Sequence, residues 1–265
     1  MIDVRSDFPM CQKIFDGRRV VYLDSAASAL KPLKVIDRLT TFYSSETANV
    51  HRGAHDLSDH ATLEYESARK LTAQFLNSQS AEEVIFTRNT TEALNLVATS
   101  WGMENLKPGD EIWLTEMEHH SSLLPWQNVA RRTGAVLKVI PVLDSGVLDL
   151  DFFMKNLGPK AKVLAMVMVS NASGVENSVD DFVRVAKNKN LLVVLDAAQA
   201  IVSQKLDVQK IGADFIAFSD PRKERFLARF GGVKNGLFWG SFLARFWLCF
   251  LPLRKRHFLV SESVF

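Results

Sequence analysis

Apolar residues along this chain fall into short blocks that stop abruptly at polar or small residues. The clearest block is Leu191-Leu192-Val193-Val194-Leu195, followed by Asp196-Ala197-Ala198-Gln199-Ala200. A run apolar on both faces predicts a strand buried on both sides, as in a parallel sheet. The same design recurs at Glu83–Thr87, Asp110–Thr115, Val136–Val142, Ala161–Val169 and Asp214–Ser219, and in shorter form at Val20–Asp24. Helical patterns lie between the blocks. One starts after Pro32 and runs to Tyr43, where proline suits a first turn. His60–Leu76 is amphipathic, with Leu63, Ala68, Leu71 and Phe75 near helical spacing. Further helices are expected at Thr90–Ala98, from Trp126 to Arg132 before Gly134, at Asp149–Leu157 and at Asp180–Asn188. Residues 1–19 read as an irregular or helical arm, and Asp144-Ser145-Gly146 as a turn. Strand and helix alternate about seven times, with polar residues after each strand, which predicts an α/β fold with a mostly parallel sheet flanked by helices.

Composition changes this picture in one place. The chain has 265 residues and a net charge of +2, so no strong field points to nucleic acid. Residues 221–265, however, hold nine Lys/Arg against two Asp/Glu, and eight of the 18 Phe. The expected division is therefore a domain over 1–219 and a basic, Phe-rich tail over 220–265. Within the tail, Gly236–Leu253 is 18 residues long but contains Arg245 and Pro252. That length is marginal for a span, so no membrane attachment is expected. Cys11 and Cys249 lie far apart, with neither metal spacing nor a disulfide framework. Met1–Asp7 lacks the apolar core of a signal peptide, and a cytoplasmic location is expected.

Candidate chemistry lies where the strands end, because α/β folds build sites at the carboxyl edge of the sheet. Thr90 and Thr91 open a helix just after a strand. Read as a cap, one of them suffices. Read as a site, two hydroxyls and the free N–H groups of a helix start hold an anion. Asp196 has the same two readings, as the cap of the next helix or as a buried acid beside a ligand. His119, Asn171, Gln199 and Ser219 fall at other strand ends. Together the set suits a flat heteroaromatic phosphate. The acid would hold a ring nitrogen protonated by attraction of opposite charges, the imidazole would stack on the ring, and the hydroxyls would hold the phosphate. Pyridoxal phosphate has this form, and its protonated ring is an electron sink. His51 and His55 are four apart, but Gly53 lies between them and no third ligand supports them, so no metal site is expected.

The chain resembles the pyridoxal-phosphate-dependent cysteine desulfurases of the class V aminotransferase superfamily, fold type I, and within them the Suf-type group. The resemblance rests on Tyr22-Leu23-Asp24-Ser25-Ala26-Ala27, Asn49-Val50-His51-Arg52-Gly53, Thr90-Thr91-Glu92, Met117-Glu118-His119-His120, Pro125-Trp126-Gln127, Val169-Ser170-Asn171, Asp196-Ala197-Ala198-Gln199-Ala200 and Asp214–Ser219. It implies that Thr90, Thr91 and Ser219 bind the cofactor phosphate. It also implies that His119 stacks on the ring and moves protons, Asp196 pairs with the ring nitrogen, and Gln199 bonds the ring hydroxyl oxygen. Asn171 would support ring and substrate, and His51 would lie near the mouth. The implied activity converts L-cysteine to L-alanine and passes sulfur on as a persulfide for iron–sulfur cluster assembly. A homodimer and a sulfur-acceptor protein are the implied partners.

The resemblance ends after Ser219, where the family continues Gly-His-Lys. This chain reads Asp220-Pro221-Arg222-Lys223. Arg222 stands in the register of the lysine that carries the cofactor, and a guanidinium stays protonated and forms no such bond. Lys223 is one residue late, and on an extended backbone it faces the other way. Cys249 sits in an apolar run, Phe246–Leu251, where a thiol is usually inert. The later arginine and persulfide-forming cysteine of the family have no match here. The expected origin of the change of composition is a shifted reading frame, which sequencing the locus would test. The expectation is a desulfurase lineage with impaired turnover, with a non-catalytic remnant or mixed-dimer partner and a selenocysteine-lyase-like enzyme as alternatives.

Overall fold

The computed structural model describes residues 4–219 and the strand His257–Ser261. They fall into two compact units, the first ending at Phe75 and the second starting at Leu76 and taking in the last strand.

The first unit begins with two short 3-10 turns, Arg5–Asp7 and Pro9–Gln12. A tight hairpin of β1 (Ile14–Phe15) and β2 (Arg18–Arg19) follows, with Asp16 and Gly17 at positive φ in its turn. The strand expected at Val20–Asp24 is not formed. No described strand pairs with it, and Val21 and Leu23 are 80% and 90% exposed. An apolar run with neither a ladder nor a core to enter has nothing to hold it extended. Helix α1 (Leu33–Thr41) starts after Pro32 as expected and runs into a wider turn at Phe42–Glu46. Helix α2 spans Asp56–Leu76, one turn longer at its start than its apolar spacing indicates, with Asp56 and Asp59 in the favourable first turn. Arg38 on α1 pairs with Glu46 (2.7 Å) and with Glu64 on α2 (3.4 Å).

The second unit is the α/β domain. Its strands are β3 (Val84–Thr87), β4 (Glu111–Thr115), β5 (Val136–Ile140), β6 (Ala161–Val167), β7 (Leu192–Asp196), β8 (Phe215–Ser219) and β9 (His257–Ser261). They form one sheet in the order β3-β9-β8-β7-β6-β4-β5, and every pairing is parallel. The mostly parallel α/β architecture expected from the sequence is therefore present. The sheet does not stop at Ser219. β9, from the tail, lies between β8 and β3 and pairs with both. The rest of the tail, including Arg222, Lys223, Gly236–Leu253 and Cys249, lies outside the described residues.

The helices are α3 (Thr90–Val97), α4 (Met103–Asn105), α5 (His120–Thr133), α6 (Leu150–Asn156), α7 (Val179–Asn188), α8 (Ala200–Ser203) and α9 (Val208–Ile211). On one face, Leu94, Val97, Trp126 and Val129 of α3 and α5 share a core with Ile112, Leu114, Val163, Ala165, Val194 and Ala217. On the other, Trp113 of β4 meets Phe153 of α6 at 5.3 Å, and Phe153 meets Phe182 of α7 at 5.6 Å. Side chains alternate along a strand, so each strand feeds both cores. That is why the blocks are apolar throughout. An ion pair of Lys187 with Asp214 (2.6 Å), whose carboxylate also accepts from Val193 N (2.8 Å), ties α7 to the starts of β7 and β8.

Candidate cofactor site

The carboxyl edge of this sheet collects the polar residues that follow each strand. At the end of β3 the chain enters α3 through Asn89, which has extended φ and ψ. Asn89 Oδ1 accepts from Glu92 N at 2.7 Å, so Asn89 is the cap, not Thr90. Glu92 reaches back to accept from Arg88 N (2.5 Å) and the Arg88 side chain. The pattern Asn-x-x-Glu resembles a capping box and is visible in the sequence. With that duty taken, the Thr90 hydroxyl is available elsewhere. It shares a 2.7 Å hydrogen bond with Ser219 Oγ at the end of β8, although 129 residues separate them. Thr91, next on the helix, is exposed. At this helix start, backbone N–H groups with no partner among the described residues lie beside the Thr90 and Ser219 hydroxyls, which is an anion-binding arrangement.

After β4 comes Glu116-Met117-Glu118-His119. His119 is the cap of α5, which begins six residues before the expected Trp126 because an imidazole does the capping. Its Nδ1 accepts from Ser121 N at 3.1 Å and lies 2.8 Å from Ser121 Oγ. An accepting Nδ1 puts the neutral ring's proton on Nε2. Pro125 lies within the first turns of this helix, and Gly134 closes it at φ 76°.

Asp196 ends β7 and is 4% exposed. Its Oδ1 accepts from Ala198 N (2.9 Å), and its backbone carbonyl accepts from Met168 N (2.8 Å). Burial pushes its pKa up, the Ala198 N–H pulls it down, and the charge of His119 does so when that ring is protonated. The last of these brings His119 and Asp196 into one electrostatic neighbourhood. Gln199, half-buried, precedes α8 in helical conformation. Asn171 is exposed on the turn after Val169, while neighbouring Ser170 is buried and accepts from Ala172 N and Ser173 N. Thr90 and Ser219 are thus joined by a hydrogen bond, and His119 and Asp196 are electrostatic neighbours. No bond among the described residues joins Asn171 to them.

One residue of this edge escaped sequence reasoning. Glu118 is half-buried as a residue, but its carboxylate is enclosed. Oε1 accepts from Thr115 Oγ1 and from Val167 N, both at 2.7 Å. Oε2 has no hydrogen-bond partner among the described residues. Burial raises its pKa to about 7. Thr115 and Ser122 oppose that rise, Ser122 without completing a hydrogen bond to Oε2, and the charge of Asp196 adds to it. In the sequence it is one acid in a polar loop, and only tertiary structure encloses it.

In the first unit, His51 sits at φ 64°, with Nε2 3.1 Å from Glu66 Oε1. His55 Nδ1 accepts from Ser58 N. Both precede α2, so they do not share a helix face. Among the described residues no group of three potential ligands is poised for a metal. None of the described helices is long and apolar enough to cross a membrane.

By fold, then, the chain contains a parallel α/β domain with polar side chains gathered at the carboxyl edge of its sheet. The aminotransferase class-V pattern matches residues 21–221, and the chain belongs to that family. A probable cysteine desulfurase of Synechocystis is 46% identical over 216 residues, covering 82% of this chain and 51% of the relative. A probable cysteine desulfurase of Mycolicibacterium paratuberculosis is 45% identical over the same length, 32% of that relative. Among solved structures, the apo cysteine desulfurase of Thermococcus onnurineus superposes with a TM-score of 0.75 at 42% identity, covering 82% of this chain and 52% of that one. The S-sulfonic acid form of an Escherichia coli cysteine desulfurase gives 0.72 at 38% identity, over 81% and 53%. The chain thus spans between a third and about half of the length of these relatives. Class V aminotransferases and cysteine desulfurases depend on pyridoxal phosphate. The edge fits that group on one structural count in particular. Asp196 is buried, and no lysine or arginine among the described residues pairs with it, which leaves it suited to a cationic ring nitrogen.

Proposed function

We propose that this chain carries the cofactor-holding part of a cysteine desulfurase, which converts L-cysteine to L-alanine and passes the sulfur on as a persulfide. The observation that supports this most is Asp196, an acid enclosed at the end of a central strand with an imidazole nearby and no cationic side chain paired with it among the described residues. Pyridoxal phosphate, when bound, supplies an electron sink for a carbanion. The chain's own residues do the rest. Asp196 holds a proton on the ring nitrogen through its carboxylate. Thr90, Thr91, Ser219 and the N–H groups that open α3 hold the phosphate. His119 covers a ring face and carries a proton at Nε2. Gln199 bonds the ring oxygen, and Asn171 orients what enters. The Suf-type assignment, a homodimer, a sulfur-acceptor protein and a cytoplasmic location belong to the same reading.

Retention of pyridoxal phosphate on dialysis, with and without Asp196→Asn, tests it. A charged hydrogen bond contributes about 1.5–3 kcal/mol, so the variant should bind roughly tenfold to a hundredfold more weakly. Equal binding by both would remove the assignment. Arg222 in the lysine register favours a second reading of the same chain, a non-catalytic partner for an intact homologue. Alanine release from L-cysteine should then be slight for the chain alone, and co-elution with the homologue should be seen on size exclusion. Turnover near an ordinary enzyme's rate, about 1–10³ per second, would sink that second reading.

A further inference from the structure

Two acids meet at the carboxyl edge, and the proposed function uses only one. Glu118 lies three residues past the end of β4 and turns its carboxylate into the protein. Its Oε1 is held by a hydroxyl from Thr115 of β4 and by the backbone N–H of Val167 of β6, both at 2.7 Å. Val167 is the residue paired with Asp196 across β6 and β7. The side chain of Asn177 fixes the other side of Val167, donating to its carbonyl at 2.9 Å. A short path of hydrogen bonds and sheet pairing therefore connects the Glu118 carboxyl to the backbone of Asp196. Among the described residues, the enclosed Oε2 of Glu118 has no hydrogen-bond partner and the carboxylate no lysine or arginine partner.

We propose that Glu118 is a positioning residue that acts through Asp196: its protonation state sets the charge facing the cofactor ring, and so how firmly the edge holds a protonated ring nitrogen. This rests on the cofactor reading given above. Two enclosed carboxyls with like charge resist ionising together, so one of them holds its proton to higher pH. The groups facing Glu118 decide which acid keeps it. From β7 comes Asp196, from its own loop His119, which acts on Asp196, and from β4, α5 and β6 only the uncharged Thr115 and Ser122 hydroxyls and Val167 N–H. Asp196 has the Ala198 N–H to favour its anion, joined by His119 when that ring is protonated. Glu118 has no cation beside it among the described residues, so Glu118 keeps the proton.

A cationic ring placed against Asp196 then competes with that proton. As pH rises through the titration of Glu118, near 7, the competitor is lost and the ring cation is held more tightly. Glu118→Gln copies the protonated acid in shape and cannot ionise. It should bind pyridoxal phosphate like the unaltered chain at low pH and more weakly at high pH. The ratio of the two affinities cancels the titrations of the ligand itself.

The experiment has two arms. In the first, ¹³C-labelled Glu118 is titrated by NMR in the cofactor-free chain, with and without Asp196→Asn. Loss of the neighbouring charge should lower its midpoint by about one unit. In the second, pyridoxal phosphate affinity is measured by fluorescence for the unaltered chain and Glu118→Gln. The ratio should change about tenfold between about pH 6 and about pH 8, a factor of ten for each unit by which the bound ring displaces the Glu118 midpoint. If Glu118→Gln does not fold, the unaltered labelled chain reads the same coupling: its midpoint should fall when pyridoxal phosphate binds. A Glu118 midpoint indifferent to Asp196, or an affinity ratio flat with pH, overturns the proposal. A midpoint that depends on Asp196 in a chain that binds no pyridoxal phosphate keeps the coupling of the two acids and removes the cofactor reading instead.

Discussion

Val20-Val21-Tyr22-Leu23-Asp24 and Leu192-Val193-Val194-Leu195-Asp196 are alike in kind, each an apolar run closing on an aspartate. They end in opposite conditions. The second is a central strand with β6 on one side and β8 on the other, and its Val193 and Leu195 are fully enclosed. The first has no strand beside it among the described residues, and Val21 and Leu23 are exposed. Apolarity supplies the driving force for burial, but a strand also needs partners for its N–H and C=O groups. Asp196 differs from an ordinary surface acid for the same reason. Flanking strands and two helical layers remove water from it, and its proton affinity rises.

The contrast can be broken at its strongest point first. Leu195→Ala removes a fully enclosed side chain from β7 and should cost about 2–5 kcal/mol, read from a denaturant midpoint. Next comes the charge enclosed at the same edge. The folded-state pKa of Glu118 is about 7 against an ordinary 4.5, so between those values the folded chain binds more protons than the unfolded one. Stability attributable to this group is therefore complete below about pH 4.5 and falls as pH rises toward 7, by on the order of 3 kcal/mol at 1.36 kcal/mol per unit. Glu118→Gln should remove that fall, which melting temperatures across the window will show. A fall of the same size in the variant would mean that another group is responsible.

Smaller effects sharpen the comparison. Asn89→Ala deletes the cap that frees the Thr90 hydroxyl for Ser219, and should cost about 1 kcal/mol of stability. Restoration of stability by Asn89→Asp would separate capping from any other role. Last, Leu23→Ala should change the midpoint by no more than about 0.5 kcal/mol, since Leu23 is 90% exposed. A cost there like that of Leu195→Ala would erase the distinction between the two runs.

Much of the second unit was legible in advance. Strands buried on both faces must be apolar throughout, helices on a sheet must show one apolar stripe, and loops at the carboxyl edge carry polar residues. Those demands wrote the order of elements and the positions of Thr90, His119, Asp196 and Ser219 into the sequence. Asn89 was legible too, through its spacing from Glu92, but Thr90 drew attention first. The early start of α5 was not, because histidine is a rare cap and becomes one here only through its contacts with Ser121.

What the sequence determined by itself was local: which runs want burial, where helices begin, and which chemistry-bearing residues follow a strand. Tertiary structure alone decided which runs find partners. It placed β9 from the basic tail between β8 and β3. It also brought Thr90 to Ser219 across 129 positions. It enclosed Glu118 against Thr115 and Val167, and so made an acid that titrates near neutrality out of one that reads as a surface residue. The physical reason is that burial and charge coupling belong to neighbours in space. In a parallel sheet those neighbours come from strands tens of residues apart, so no window along the chain contains them.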